Sequence, residues 1–173
     1  MVSRKATGYL IALVVFGLDQ LSKWWVTGPL GIDYEGAVRY ILPIFQFSYT
    51  QNNGISLGLL NATTPIGRWM LVALTTAIAI GVAIWISREK NRLDQIALGM
   101  VLGGALGNIL DRALHGYVVD FLDLHFGEYR PFLIFNVGDA AISIAVVILL
   151  LRAFLSRKDQ SKGSDPEETI EHA

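Results

Sequence analysis

No cysteine occurs anywhere in the 173 residues, which removes disulfides, thiolate metal ligands and a cysteine nucleophile together. Charge is also scarce: 17% of the residues are Asp, Glu, Lys or Arg, against about 25% in an ordinary soluble domain. The net charge of −1 lacks the basic excess of a nucleic-acid surface, so no nucleic-acid partner is expected. The sequence has no internal repeat and no HExxH-type spacing that would mark a metal site.

Apolar sequence is abundant. Hydrophobic residues make up 53% of the chain, and the mean hydropathy is positive. A hydrocarbon core of roughly 30 Å needs about 20 apolar residues to cross it. Four stretches qualify, at about 8–25, 66–86, 96–112 and 132–154. All four are read as helices, because an open strand cannot satisfy its backbone groups in lipid. The first has a basic start and an apolar middle, but no small-residue cleavage site follows, so it is read as retained. Trp24 and Trp25 end it and suit an interfacial belt.

Orientation follows from the basic residues. Arg4, Lys5, Arg88, Lys90, Arg92, Arg152, Arg157, Lys158 and Lys162 fall on one side, and Lys23, Arg39, Arg68, Arg112 and Arg130 on the other. The excess marks the first side as cytoplasmic, with both termini there. The tight "SREKNRLD" loop makes the second and third spans antiparallel neighbours. Residues 27–65 contain "AVRYILPIFQFSYTQNNG", rich in β-branched and aromatic residues and interrupted by Pro43. They predict two or three short strands, with a turn at Asn52-Asn53-Gly54. Residues 113–131 form a second outer loop, and the polar tail 156–173 is expected to be disordered in the cytoplasm. The expected fold class is an all-α membrane protein: one domain over 1–155, four transmembrane helices, and a small extracytoplasmic β-element between the first two.

Polar residues concentrate at the outer ends of these spans, where insertion is costly. The first span carries Asp19 and Lys23, the third Asn108, Asp111 and Arg112, and the fourth Asn136 and Asp139; Asp120 lies in the loop before the fourth. Such one-sidedness argues for a site at the outer leaflet. Asp19 and Lys23 stand at i, i+4 with the acid first, which suits an intrahelical pair whose lysine snorkels to the headgroups. Gly99, Gly103 and Gly107 form a doubled GxxxG that suits close helix packing. Arg112 wants a carboxylate, and Asp111, Asp120 or Asp139 could supply one. If Asp120 and Asp139 meet, they cannot both ionise cheaply and would share a proton. One would then act as base toward a water and the other as acid toward a carbonyl or its leaving group. Spacing alone leaves the alternative open that Asp139 caps the fourth helix while Asp120 binds Arg112. Asn136, one turn before Asp139, could orient a carboxylate, hold substrate backbone or cap the helix. His115, Asp123 and His125 invite a metal reading, but a solvated loop accounts for them better.

Taken in order, "DQLSK" (19–23), "QNNGISLG" (51–58), "GNILDR" (107–112), "VVDF" (118–121) and "FNVGD" (135–139) resemble the lipoprotein signal peptidases, the bacterial type II signal peptidase family. The resemblance implies an aspartyl endopeptidase of the bacterial inner membrane, with a site near the outer leaflet and no cofactor. Such enzymes cut lipid-modified prolipoproteins on the N-terminal side of the diacylglyceryl cysteine, among membrane lipid. It implies a catalytic pair at Asp120 and Asp139, with supporting or substrate-binding roles for Asp19, Lys23, Asn52, Gly54, Asn108, Arg112 and Asn136. A monomer is expected. Two positions depart from the family pattern. Ser56 is followed by Leu57 where an aromatic is usual, and Gly138 stands where alanine usually precedes the second aspartate. The rival from the residues alone is a small proton-coupled transporter, since intramembrane acids also mark ion pathways.

Overall fold

In the computed structural model, residues 4–54 and 64–162 are described, with side chains for 6–54 and 64–155. Four helices, α1 (Arg4–Thr27), α2 (Pro65–Arg88), α3 (Arg92–Leu114) and α4 (Val137–Lys162), are joined by three strands, β1 (Val38–Leu42), β2 (Phe45–Asn52) and β3 (Val118–Leu124). All four helices are long and apolar enough to cross a membrane. Helix α2 shows the extreme case. Ile66, Trp69, Met70, Leu74, Ile78, Ile80, Ile84 and Trp85 are exposed along it, as lipid rather than water demands.

Helix α3 is the hub and packs against α1, α2 and α4. Its glycines explain how closely. A Cβ on Gly99 would collide with the Gly8 carbonyl of α1, and one on Gly103 with the Ala12 carbonyl. On another face, a Cβ on Gly104 would strike the Gly138 carbonyl at the start of α4. Small residues thus let three backbones meet, in lipid where helix association depends on packing and polar contacts. Between α2 and α3 the turn is short, as expected. The Glu89 carboxylate accepts from the amides of Lys90 and Asn91, and the Asn91 side chain N-caps α3. Helix α3 starts before the apolar run, where Asp94 meets Arg152 of α4 at 2.8 Å. The polar tail expected from residue 156 is helical as far as Lys162.

Beyond one end of the bundle lies an antiparallel sheet in the order β1-β2-β3. From the sequence, strands are expected only within 27–65; the third, β3, comes instead from the 113–131 stretch read as a loop. Long-range pairing makes it a strand, on the β2 side with Thr50 opposite Asp120 and Asn52 opposite Val118. The β1–β2 hairpin turns at Pro43-Ile44. The expected turn at 52–54 forms as a local Asn-centred turn, the Gly54 amide donating to Asn52 Oδ1 at 3.1 Å. Val26, Ile32, Ala37, Tyr49, Val119 and Phe121 make a small core that roots the sheet on the end of α1. Trp25, Phe47 and Phe121 stack edge to face through it.

Candidate active site

The route by which two distant acids meet can be followed along the backbone. Strand β3 carries Asp120, and its edge away from β2 pairs with Phe135. The amides of Phe121 and Leu122 donate to the Phe135 carbonyl, and the Phe135 amide returns a bond to Leu122. The next residue, Asn136, caps α4, so its side chain lands beside Asp120. One turn on, Asp139 closes a reciprocal capping box. Its amide donates to Asn136 Oδ1 at 2.9 Å, and its Oδ2 accepts from the Asn136 amide at 3.3 Å. The capping reading of Asp139 and its membership of an acid pair are therefore compatible.

Asn136 ties the acids together. Its Nδ2 donates to Asp120 Oδ1 at 2.6 Å and to Asn108 Oδ1 at 3.1 Å. Asn108 in turn donates from Nδ2 to Asp139 Oδ1 at 2.8 Å. On its other side, Asp120 Oδ2 accepts from Asn52 Nδ2 at 3.0 Å, and the Gly54 contact holds that amide in register. Asp120 and Asn136 are essentially inaccessible, at 1% and 0% exposure. Burial, followed by the neighbouring Asp139 charge, pushes the Asp120 carboxyl up to about 7, while the amides of Asn52 and Asn136 and the Lys23 charge pull the other way. Desolvation outweighs the opposing contacts.

Behind this pair sits a second polar group. Lys23 does not snorkel to the headgroups; it turns inward and is 5% exposed. Its Nζ lies 2.7 Å from Asp19 Oδ2 and 2.9 Å from Asp111 Oδ2. Asp111 therefore pairs with Lys23, not with Arg112. Among the described residues, Arg112 makes no ion pair at all. It reaches the Asn108 carbonyl at 3.5 Å, and its Nε is buried without a partner, close enough to feel Asp139, Asp120 and Asp111. Asp120 is occupied by the amides of Asn52 and Asn136, so the alternative of a structural Asp120–Arg112 pair is not realised.

Asp111, read from the sequence only as one possible partner for Arg112, is absent from the site residues that the resemblance implies. One signal pointed toward it: a lysine ammonium has three donors, and Asp19 alone cannot fill them in a buried setting. Asp123 is held by Gln46 at 2.7 Å and Arg130 at 3.1 Å, and His115 ends α3 beside Tyr117. Among the described residues, no three acidic or histidine side chains group closely enough to hold a metal. Ser56 and Leu57 lie outside the described residues. Gly138 abuts Gly104, and a Cβ there would lie 3.0 Å from the Gly104 carbonyl, so alanine would require a small shift. A cleft of about 300 Å³ opens beside Asp139, lined also by Phe132, Leu133, Phe135, Ala140, Ser143 and Ile144. Among the described residues, Asp139 is the only charged group in this lining.

Comparison with known proteins identifies relatives of this chain. Residues 11–155 match the family model described as signal peptidase (SPase) II. The lipoprotein signal peptidase of Rhizorhabdus wittichii is 50% identical over 151 residues, 87% of each chain. That of Sphingopyxis alaskensis is 49% identical over 148 residues, 86% of this chain and 85% of its own. A solved bacterial membrane enzyme, determined by the in meso method at 2.3 Å resolution, superposes with a TM-score of 0.76. It is 28% identical, and the match covers 94% of both chains.

Proposed function

The chain belongs to the signal peptidase II family, and from that membership and the buried acid pair we propose that it is an aspartyl endopeptidase cleaving diacylglyceryl-modified prolipoproteins before the lipidated cysteine. One observation carries the reading: Asp120 and Asp139 are joined through Asn136 and Asn108, and Asp139 lines an apolar cleft. Hydrolysis needs one carboxyl protonated and one ionised. Burial of Asp120 beside Asp139 supports that division.

In the reaction, Asp139 takes a proton from a water whose oxygen bonds to the scissile carbonyl carbon. Asp120 gives its proton to the carbonyl oxygen, leaving a neutral tetrahedral diol. Asp139 then passes its proton to the amide nitrogen, the C–N bond breaks, and a diol hydroxyl returns a proton to Asp120. A carboxyl and an amine leave, and the pair is restored. Asn108 and Asn136 orient the carboxyls, Asn52 and Gly54 hold Asp120 from the sheet side, and Asp19 and Lys23 support the pair from behind. Arg112, cationic and without a carboxylate partner among the described residues, suits a substrate carbonyl or the charge that develops on it.

The cleft beside Asp139 suits the apolar segment of a signal peptide, whose lipid-bearing end stays at the membrane boundary. Accordingly, the enzyme would lie in the bacterial inner membrane as a monomer, termini in the cytoplasm and acids near the outer leaflet. Purified protein incubated with a lipidated precursor should release a product whose mass fixes cleavage before the modified cysteine. An intact precursor, or a cut elsewhere, would overturn the assignment.

A further inference from the structure

Two backbone amides at the site accept no place in the hydrogen-bonding of helix or sheet. Gly138 stands at the second position of α4, where a helix leaves its N–H groups unpaired. Val119 stands on β3. Each precedes one acid of the pair: Gly138 comes just before Asp139, and Val119 just before Asp120. Gly138 N–H donates to Asp19 Oδ1 at 2.9 Å, across a chain separation of 119 residues. Val119 N–H donates to Asp111 Oδ2 at 3.1 Å. The two accepting carboxylates belong to different helices, α1 and α3, yet both are gripped by the same ammonium, Lys23 Nζ, at 2.7 and 2.9 Å. Gln20 Nε2 adds a second tie, 3.2 Å from Asp19 Oδ2 and 3.0 Å from Asp111 Oδ1.

We propose that Asp19, Lys23 and Asp111 act as one caliper, with Asp111 a positioning residue for the reaction: its jaws hold the peptides next to Asp139 and Asp120 and so set the separation of the two carboxyls. The cation at the pivot is needed because two adjacent buried carboxylates repel and would spread α1 from α3. The absence of a side chain at Gly107 is part of the same device, since a Cβ there would collide with the Asp19 carboxylate. Proton sharing depends steeply on carboxyl separation, so the caliper acts on rate rather than on substrate affinity.

This inference rests on the acid-pair reading, and the test separates the two. Asp111→Ala, which removes the acceptor of the Val119 N–H, is compared with Asp111→Asn, which keeps an acceptor and loses the charge. Cleavage of a lipidated precursor is followed across pH, with Asp139→Asn alongside. Asp111→Ala is expected to lower kcat by about 100-fold with KM within about twofold, and to alter the pH profile. Asp111→Asn is expected to recover kcat to within about tenfold of the parent. If the alanine variant does not fold, Asp111→Glu takes its place, keeping the charge while displacing the acceptor, with the same expected loss. The parent's kcat and pH profile in the alanine or glutamate variant overturns the caliper, as does an asparagine variant that loses as much kcat. Near-normal cleavage by Asp139→Asn overturns the acid-pair reading itself.

Discussion

Asn136 has one amide and spends both ends of it: the oxygen caps α4 through Asp139, and the nitrogen holds Asp120 and Asn108. Removing it with Asn136→Ala takes away a helix cap, at about 1 kcal/mol, and leaves the donors and acceptors around it unpaired. Thermal unfolding in detergent should therefore show a loss of about 2–3 kcal/mol, together with loss of cleavage. Asp120→Asn and Asp139→Asn keep size and remove the acid or base; each should cut cleavage by at least about 100-fold while the protein still inserts and folds. Cleavage by wild-type protein should pass through a maximum in pH, falling on the basic side as the pair loses its last proton, near or above pH 7. Stability carries its own signature. Folded Asp120 holds its proton up to about 7 against an ordinary 3.8, so between those values the folded state binds more protons than the unfolded chain. Asp120 thus costs stability increasingly as pH rises from about 4 to about 7, and no further above that. The melting temperature of Asp120→Asn relative to wild type should climb across that window and then level off; a constant difference would contradict the buried proton. At this scale the residue types were legible in the sequence, because a carboxylate within apolar surroundings is conspicuous. The partners were not: the spacing offered Asp111 to Arg112 and Lys23 to Asp19, and only three-dimensional packing joined Asp111 to Lys23.

At the scale of elements, the site depends on how closely α1, α3 and α4 approach. Gly107→Ala would force a methyl group against Asp19, whose two oxygens are already committed to Lys23 and the Gly138 amide. That carboxylate cannot retreat without breaking one of them, so a destabilisation of about 1–3 kcal/mol is expected in thermal denaturation. Gly81→Ala on α2 provides the contrast. Nothing lies within 4 Å of a Cβ there, and alanine is the better helix former, so stability should hold or rise by up to about 1 kcal/mol. The GxxxG spacing announced tight packing but not that one glycine of the stripe makes room for a carboxylate. Strand β3 was illegible for a different reason. "VVDFLDL" has β-branched residues, but what makes it a strand is pairing with β2 on one edge and Phe135 on the other, which no local pattern contains.

Across the whole molecule, polarity is lopsided. Among the described residues, the buried polar cluster occupies the sheet end of the bundle, and the opposite end offers chiefly Gln95 and the Asp94–Arg152 pair. Between them the packing is of Ala, Gly and Leu, including Ala12, Ala79, Leu98 and Leu102. A proton-coupled transporter needs polar groups reaching both faces, so the arrangement disfavours it, and proteoliposomes of the purified protein should show no proton flux above empty vesicles. The lack of cysteine makes orientation directly measurable. Single cysteines at the exposed positions Glu128 and Lys90 should react differently with an impermeant maleimide on spheroplasts, Glu128→Cys labelling and Lys90→Cys resisting until the membrane is opened. The reverse pattern would put the acids on the cytoplasmic side.

Four spans and a polar end were determined by composition along the chain, because hydropathy and helix length are local quantities that lipid thickness selects. So was the presence of two acids in that end, since their cost in an apolar run is evident at once. What the tertiary structure alone decided is which groups meet. Asp120 and Asp139 are separated in the chain by a strand, a loop and a helix cap. Their union depends on Phe135 pairing with β3, on glycines that admit α1 and α4 to α3, and on Lys23 choosing Asp111. Each is a contact between distant segments, settled by burial and unpaired donors rather than by any neighbour in sequence.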